Sequence, residues 1–220
     1  MTKLSILVCA HCPNAYYDDL LVKAISSIYE QSYKDYKLLI VLDECWDGTL
    51  SKVKDVITPD TEIIIRNKKE GLARAKNTGL ERINTEYVAF LDADDEYVSG
   101  KLEKQMNFIE NNNVDFLGTL ATIKNKGQIY PSGFSVGQYE THEQIYNRIF
   151  QENIMTHGSM LIRKKALDEL GGYHDVRDPS GYPNGMEDWD LWRRAISSGY
   201  KFHQLQERLY MLTMGTSVER

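Results

Sequence analysis

Four short runs, Leu4 to Val8, Leu38 to Leu42, Glu62 to Ile65 and Tyr87 to Leu91, are rich in branched apolar residues, and helical patterns fill the gaps between them. This alternation constrains the fold more than any other feature of the chain. The runs lack polar alternation, as strands covered on both faces do, so the sequence reads as α/β, with a mixed, mostly parallel central sheet and helices on both faces. Leu20, Leu21, Ala24, Ile25 and Ile28 share a helix face. Asp47-Gly48-Thr49 offers capping oxygens before Leu50, Val53 and Ile57, and Thr58-Pro59 stops that helix. A third helix is expected from Gly71 to Ile83, with Leu72, Ala75 and Leu80 inward.

Beyond Asp95 the pattern loosens. Helices are expected over 101–110, 143–150, 164–170 and 187–198, a strand over 158–163, and a hairpin-like turn at Asn125-Lys126-Gly127. Gly171-Gly172 is a break, and the stretch 174–186, with two prolines and two glycines, reads as a mobile loop. No repeat, linker or charge block divides the chain. It is expected to form one domain over 1–220, with a nucleotide-binding-like half over 1–98 and a more irregular half over 99–220.

Charge and cysteine usage narrow the function. The 26 Lys and Arg against 32 Asp and Glu give a net charge of −6, which argues against holding a nucleic acid by field alone. No stretch approaches the roughly 18 apolar residues of a membrane span, and the N-terminal run is short for a secretory signal. Three cysteines describe no disulfide framework, and a reducing cytoplasm is the expected location.

Phe90-Leu91-Asp92-Ala93-Asp94-Asp95 places three carboxylates at the C-terminal end of a buried strand, where open α/β sheets bind ligands. Such density costs repulsion unless a cation compensates, and hard oxygens suit Mg²⁺ or Mn²⁺ carrying a diphosphate. A solvated turn capping the next helix is the plainer alternative. An EF-hand fails, because Tyr97 stands where the loop needs glycine. Cys9-Ala10-His11-Cys12 could be a redox dithiol or half a zinc site, or simply small residues lining a strand-end pocket. Glu187-Asp188-Trp189-Asp190 suits a helix cap, or supplies a general base, Asp188, at a cleft edge.

In order, Ser5-Ile6-Leu7-Val8, Leu42-Asp43-Glu44 with Asp47-Gly48-Thr49, Gly71-Leu72-Ala73-Arg74-Ala75-Lys76-Asn77-Thr78-Gly79, Leu91-Asp92-Ala93-Asp94-Asp95, Gly171-Gly172-Tyr173 and Glu187-Asp188-Trp189-Asp190-Leu191 resemble the family 2 glycosyltransferases of GT-A (Rossmann-like) fold. The resemblance covers nearly the whole chain. It implies inverting transfer of a sugar from a nucleotide-diphosphate sugar, UDP-linked by weight of the family, to a hydroxyl of a glycan or other acceptor. It makes 99–220 the acceptor-side half. It further implies that Asp43 accepts a hydrogen bond from the nucleotide base beside Ala10 and His11, and that Asp92 lies near ribose and metal. Asp94 would coordinate Mn²⁺ or Mg²⁺, with Asp95 behind it or on the donor sugar, Arg74 or Lys76 would balance phosphate charge, and Asp188 would deprotonate the acceptor.

The chain departs from the family at three places. Cys9-Ala10-His11-Cys12 replaces the common Pro-x-Tyr-Asn, so base stacking would fall to His11. The usual Asp-Asp-Gly-Ser-x-Asp-Gly-Thr is shortened to Asp43-Glu44-Cys45-Trp46-Asp47-Gly48-Thr49. Tyr210-Met211-Leu212-Thr213 stands where many relatives carry Tyr-Arg-x-His, and His157 is the nearest chemical substitute. Two other readings are a nucleotidyltransferase, against which Cys9 to Asp19 holds no Gly, Lys or Arg, and a sugar-nucleotide-binding module without turnover.

Overall fold

Along β1 (Leu4–Ala10), Leu4, Ile6 and Val8 pack into one hydrophobic layer while Leu7 packs into the other. The period-2 geometry of a strand puts successive side chains on opposite faces, so an unbroken apolar run demands cover on both. That cover is found. On one face lie α1 (Ala15–Tyr29), α2 (Thr49–Lys54) and α4 (Lys101–Asn111). On the other lie α3 (Leu72–Arg82), α5 (His142–Ile149), α6 (Lys164–Glu169) and α7 (Glu187–Ser197). This computed structural model describes residues 2–68, 70–125, 127–130, 139–177 and 185–215.

The remaining strands are β2 (Tyr36–Asp43), β3 (Glu62–Arg66), β4 (Tyr87–Asp92), β5 (Glu96–Tyr97), β6 (Phe116–Asn125), β7 (Gln128–Tyr130), β8 (Leu161–Arg163) and β9 (Phe202–Met214). The sheet order is β3-β2-β1-β4-β8-β6-β9-β5, with β7 paired to β6. The first four strands are parallel, β8 is antiparallel to both its neighbours, and β9 runs parallel to β6. Counted by paired residues the sheet is mixed and mostly parallel, with helices on both faces, as the alternation predicts. Asp43 and Asp92 therefore end the two parallel strands that flank β1, on the same edge, and Ala10 ends β1 between them.

Four local expectations change. Gly48, not Asp47, occupies the cap position of α2 and makes no side-chain capping bond. Thr49 instead donates its hydroxyl to the buried Asp18 at 2.6 Å, and Trp46 Nε1 donates to the same carboxylate at 2.7 Å. Leu72 is 39% exposed, because α3 begins there and its first turn overhangs the sheet edge. The expected strand over 158–163 opens as a 3-10 turn, His157–Ser159, before β8. The long strand β9 is absent from the sequence reading. Its register against β6 slips twice, passing from Thr119↔Leu205 to Leu120↔Arg208 to Ala121↔Tyr210, and these bulges break the period-2 signal.

Of the loop expected over 174–186, residues 178–184 lie outside the described residues. Lys126 of the expected hairpin turn is also outside them, while Asn125↔Gln128 pairing on either side joins β6 to β7.

Candidate active site

A cavity of about 880 Å³ opens at the C-terminal edge of the parallel strands. Its lining draws on both halves of the chain: Ala10, His11 and Asp43 from β1 and β2, Asp92 and Asp94 after β4, Lys76 from α3, and His157, Glu187 and Asp188 from the second half. Seven carboxylates face it against two permanently cationic side chains, Lys76 and Arg177, among the described residues. An anionic ligand entering such a field is repelled unless it brings a cation.

At the β1–β2 end, His11 Nδ1 lies 2.8 Å from the Asp43 carbonyl oxygen, and Arg66 forms an ion pair of 2.9 Å with the Asp43 carboxylate. Arg66 was not singled out by sequence, yet it is the charge that stabilises a carboxylate only 5% exposed. Cys9 and Cys12 pack into opposite hydrophobic layers, which separates them and removes the geometry a redox dithiol or zinc half-site needs. Burial pushes the Cys9 thiol up to about 12. Cys12 meets Cys45 instead, whose Sγ accepts from the Cys12 amide at 3.2 Å and donates to the Ala10 carbonyl at 3.4 Å.

Asp92 sits where the backbone is tightest. Burial opposes its charge, but His157 and Lys76 outweigh burial and hold its carboxyl below the usual range. Gly158 passes so close that a Cβ there would stand 2.9 Å from Asp92 Oδ2 and 1.8 Å from the Tyr210 hydroxyl. His157 Nε2 is 2.8 Å from the Tyr173 hydroxyl, its Nδ1 is 3.6 Å from Asp92, and its ring stacks on Trp192. The histidine is thus both a buried packing element and a cavity wall.

Asp94 lines the cavity and Asp95 does not. Asp95 is 4% exposed and turned to β9, accepting from the Tyr210 hydroxyl and from the Thr213 amide, each at 2.7 Å. Both of its oxygens thus accept a hydrogen bond from β9. Burial, then its neighbours Asp92 and Asp94, raise its carboxyl well above the ordinary range. Arg74 is exposed on α3 and outside the cavity lining, whereas Lys76, on the inward face, is within it.

Lys76 Nζ is 2.9 Å from Glu187 Oε1. Asp188, one residue further into α7, accepts from Asn153 Nδ2 at 3.0 Å and from the Trp189 amide at 2.6 Å. Burial raises its carboxyl, with Lys76 and His157 opposing and Glu187 adding to the rise. Such a group is both a helix-end acceptor and a base of increased proton affinity facing the cavity.

Asp92 and Asp94 are hard oxygen donors lining one cavity, and among the described residues no three His, Cys, Asp or Glu side chains stand together as a ready-made metal shell. This set fits Mg²⁺ or Mn²⁺, which keep waters and take substrate phosphate oxygens beside one or two carboxylates. It does not fit a zinc site, which needs a closed nitrogen or sulfur shell.

The sheet order and a strand-end cavity with paired aspartates define a GT-A glycosyltransferase fold. Residues 5–171 match the sequence family described as Glycosyl transferase family 2, and the chain belongs to that family. It is 31% identical over 194 residues to an uncharacterized glycosyltransferase of Methanocaldococcus jannaschii, covering 86% of this chain and 64% of that protein. It is 29% identical over 146 residues to an Escherichia coli enzyme named UDP-Glc:alpha-D-GlcNAc-diphosphoundecaprenol beta-1,3-glucosyltransferase, covering 66% of this chain and 55% of the relative. The chain thus spans less than two thirds of the length of these relatives.

Among solved structures, TarS of S. aureus in complex with UDP-GlcNAc superposes with a TM-score of 0.77 at 16% identity, over 98% of this chain and 60% of that one. A mannosyltransferase of Pyrobaculum calidifontis in complex with GDP-Man and Mn²⁺ gives 0.70 at 18%, over 99% and 58%. At such identities the likeness is one of fold. No helix among the described residues is long and apolar enough to cross a membrane.

Proposed function

We propose that this chain transfers a sugar from a UDP-linked donor to a hydroxyl of a glycan or other acceptor, with inversion at the anomeric carbon and with Mn²⁺ or Mg²⁺ required. The observation that carries the reading is that Asp92 and Asp94 share one cavity with Asp188, a carboxylate of raised proton affinity. Asp43, flanked by Ala10 and His11, accepts a hydrogen bond from the nucleotide base. Asp92 and Asp94 hold the cation, and Asp95 braces them from behind through Tyr210. A cation bound there supplies positive charge to the departing diphosphate.

Asp188 takes the proton of the acceptor hydroxyl, the freed oxygen attacks the anomeric carbon, and the carbon–oxygen bond to the diphosphate breaks with its electron pair leaving on the diphosphate. A single in-line displacement inverts the centre. The division into a donor half over 1–98 and an acceptor half over 99–220 follows from the same reading, with Asp188 on the acceptor side. The UDP preference is supported by the names of the E. coli relative and of the TarS complex. The three free cysteines agree with work in a reducing cytoplasm.

Thermal unfolding with UDP, GDP, dTDP and CMP sugars, each with and without Mn²⁺, tests the donor. A ligand at 100 times its Kd adds about 2.7 kcal/mol, a rise of roughly 5–10 °C for a chain of this length. UDP sugars are expected to give that rise with Mn²⁺ and not in EDTA. No shift with any nucleotide sugar refutes the proposal, and an equal shift in EDTA refutes its metal requirement.

A further inference from the structure

Consecutive residues of α3 grip the chain on either side of residues 178–184. Lys76 is matched by Glu187, 111 positions away, with the two side chains only 3% and 9% exposed. The same ammonium stands 5.0 Å from the centre of the Tyr173 ring. Asn77 bonds both backbone groups of Tyr173, donating to its carbonyl and accepting from its amide at 2.8 Å each. Gly172, at φ +71°, passes so near that a Cβ would lie 2.5 Å from Asn77 Oδ1. Glycine is needed there for backbone and space together.

Glu187 is the first residue of α7, and the cap residue Met186 contributes no side-chain bond to the helix start. What orients this first turn is therefore lateral: Lys76 on Glu187, Asn153 on Asp188, Trp189 Nε1 on the Ile149 carbonyl and His174 beside Asp190. A lysine lining a diphosphate cavity would ordinarily be read as a phosphate ligand, but this ammonium is already neutralised by a buried carboxylate. An ion pair this enclosed is a geometric constraint more than a source of stability, since the desolvation of both charges offsets their attraction.

We propose that Lys76 is a positioning residue, whose ion pair with Glu187 fixes the first turn of α7 and so aims the Asp188 carboxylate into the cavity, rather than a ligand of the donor phosphates. The proposal rests on the glycosyltransferase reading for its kinetic consequences, though not for its structural one. A carboxylate displaced by about 1 Å from its productive place loses on the order of 10²-fold in turnover while the donor still binds.

The test uses the full chain and three variants, Lys76→Arg, Lys76→Met and the double Lys76→Met/Glu187→Met. The double variant removes both charges of the pair and leaves no orphaned Glu187, so it is expected to fold even where Lys76→Met is unstable. Three quantities are read: UDP affinity by calorimetry in Mn²⁺, UDP release from UDP-glucose and UDP-GlcNAc as kcat and KM, and amide hydrogen exchange over residues 187–190. In both methionine variants kcat is expected to fall 30-fold or more, with UDP Kd within threefold of the parent and exchange in the first turn of α7 at least tenfold faster. Lys76→Arg is expected to restore kcat to within fivefold.

A tenfold loss of UDP affinity with kcat unchanged would make Lys76 a phosphate ligand and overturn the proposal. So would a double variant with parental kcat, or parental exchange at 187–190 in any methionine variant. If the parent neither binds UDP nor releases it, the donor reading fails by itself. The exchange measurement then decides the positioning role alone, faster exchange supporting it and unchanged exchange ending it.

Discussion

Replacing Gly158 by alanine strikes the point where three functional elements converge. Its backbone is not in the left-handed region, so the glycine is required by space and not by conformation. An added Cβ would fall 1.8 Å from the Tyr210 hydroxyl oxygen and 2.5 Å from Tyr210 Cζ, against a practical lower limit of 3.0 Å for Cβ contacts. Tyr210 is fully buried, so the ring must retreat by more than an ångström into packed surroundings. Overpacking of this kind costs about 1–3 kcal/mol. The retreat also carries the hydroxyl away from Asp95 Oδ2, now 2.7 Å distant, and a hydrogen bond lost at a buried acidic group costs roughly 1.5–3 kcal/mol more. The expected loss is about 2.5–6 kcal/mol, which in a chain of this length lowers Tm by roughly 5–24 °C. Scanning calorimetry of Gly158→Ala measures it, and adding Tyr210→Phe, which deletes the clashing oxygen, should recover part of the loss. A Tm within 2 °C of the parent would refute the packing argument outright. Mn²⁺ affinity should fall alongside, because the same Cβ presses on Asp92.

Four further outcomes are expected. Asp188→Asn keeps an oxygen for the Trp189 amide, so stability should change by no more than about 1 kcal/mol while kcat falls about 10²- to 10⁴-fold with donor binding intact; normal turnover with the true acceptor would end the base assignment. Because burial raises the Asp188 carboxyl, the acid limb of kcat should lie above the ordinary carboxylate range and vanish in Asp188→Asn, and the proton held more tightly in the folded state makes this group's stability contribution fall as pH rises through its folded pKa; an acid limb at the ordinary carboxylate value contradicts this. Asp94→Asn should leave the fold intact and weaken Mn²⁺-dependent donor binding, whereas Cys9→Ser with Cys12→Ser should keep activity within about an order of magnitude; parental Mn²⁺ dependence in the first, or activity abolished in the second, goes against these assignments.

The first four strands were legible because burial on both faces leaves an unmistakable apolar run, and Leu4 to Val8 and Tyr87 to Leu91 show it plainly. β9 was not, because Gln206 and Glu207 fall in a bulge and interrupt the alternation between the buried Phe202 and Gln204 before it and the buried Leu209 and Tyr210 after it. In the cavity, Asp92 and Asp94 stood out by their place at a strand end, while the helix start at Asp188 suited a cap as well as a base until the family resemblance was added. The partners that set their surroundings could not. Lys76 and Glu187 stand 111 residues apart, Asp95 and Thr213 118, and no local pattern encodes such pairings. Asp95 is the instructive case. Its sequence neighbours left it either behind Asp94 or on the donor sugar, and the strand that claims both its oxygens carried no readable signal.

That claim has a consequence for the order in which the molecule assembles. The acidic turn after β4 is synthesised well before β9, yet its shape depends on the hydroxyl of Tyr210 and the amide of Thr213. Pairing across so long a stretch of chain bears a large loop-closure entropy and forms late. Until β9 inserts between β6 and β5, Asp95 lacks the two donors that occupy its oxygens, and the acidic turn has no fixed spacing. The parallel half can consolidate around its two apolar layers without them. The fixed geometry of the acidic turn therefore arrives with β9, and a chain cut before Tyr210 lacks both donors to Asp95.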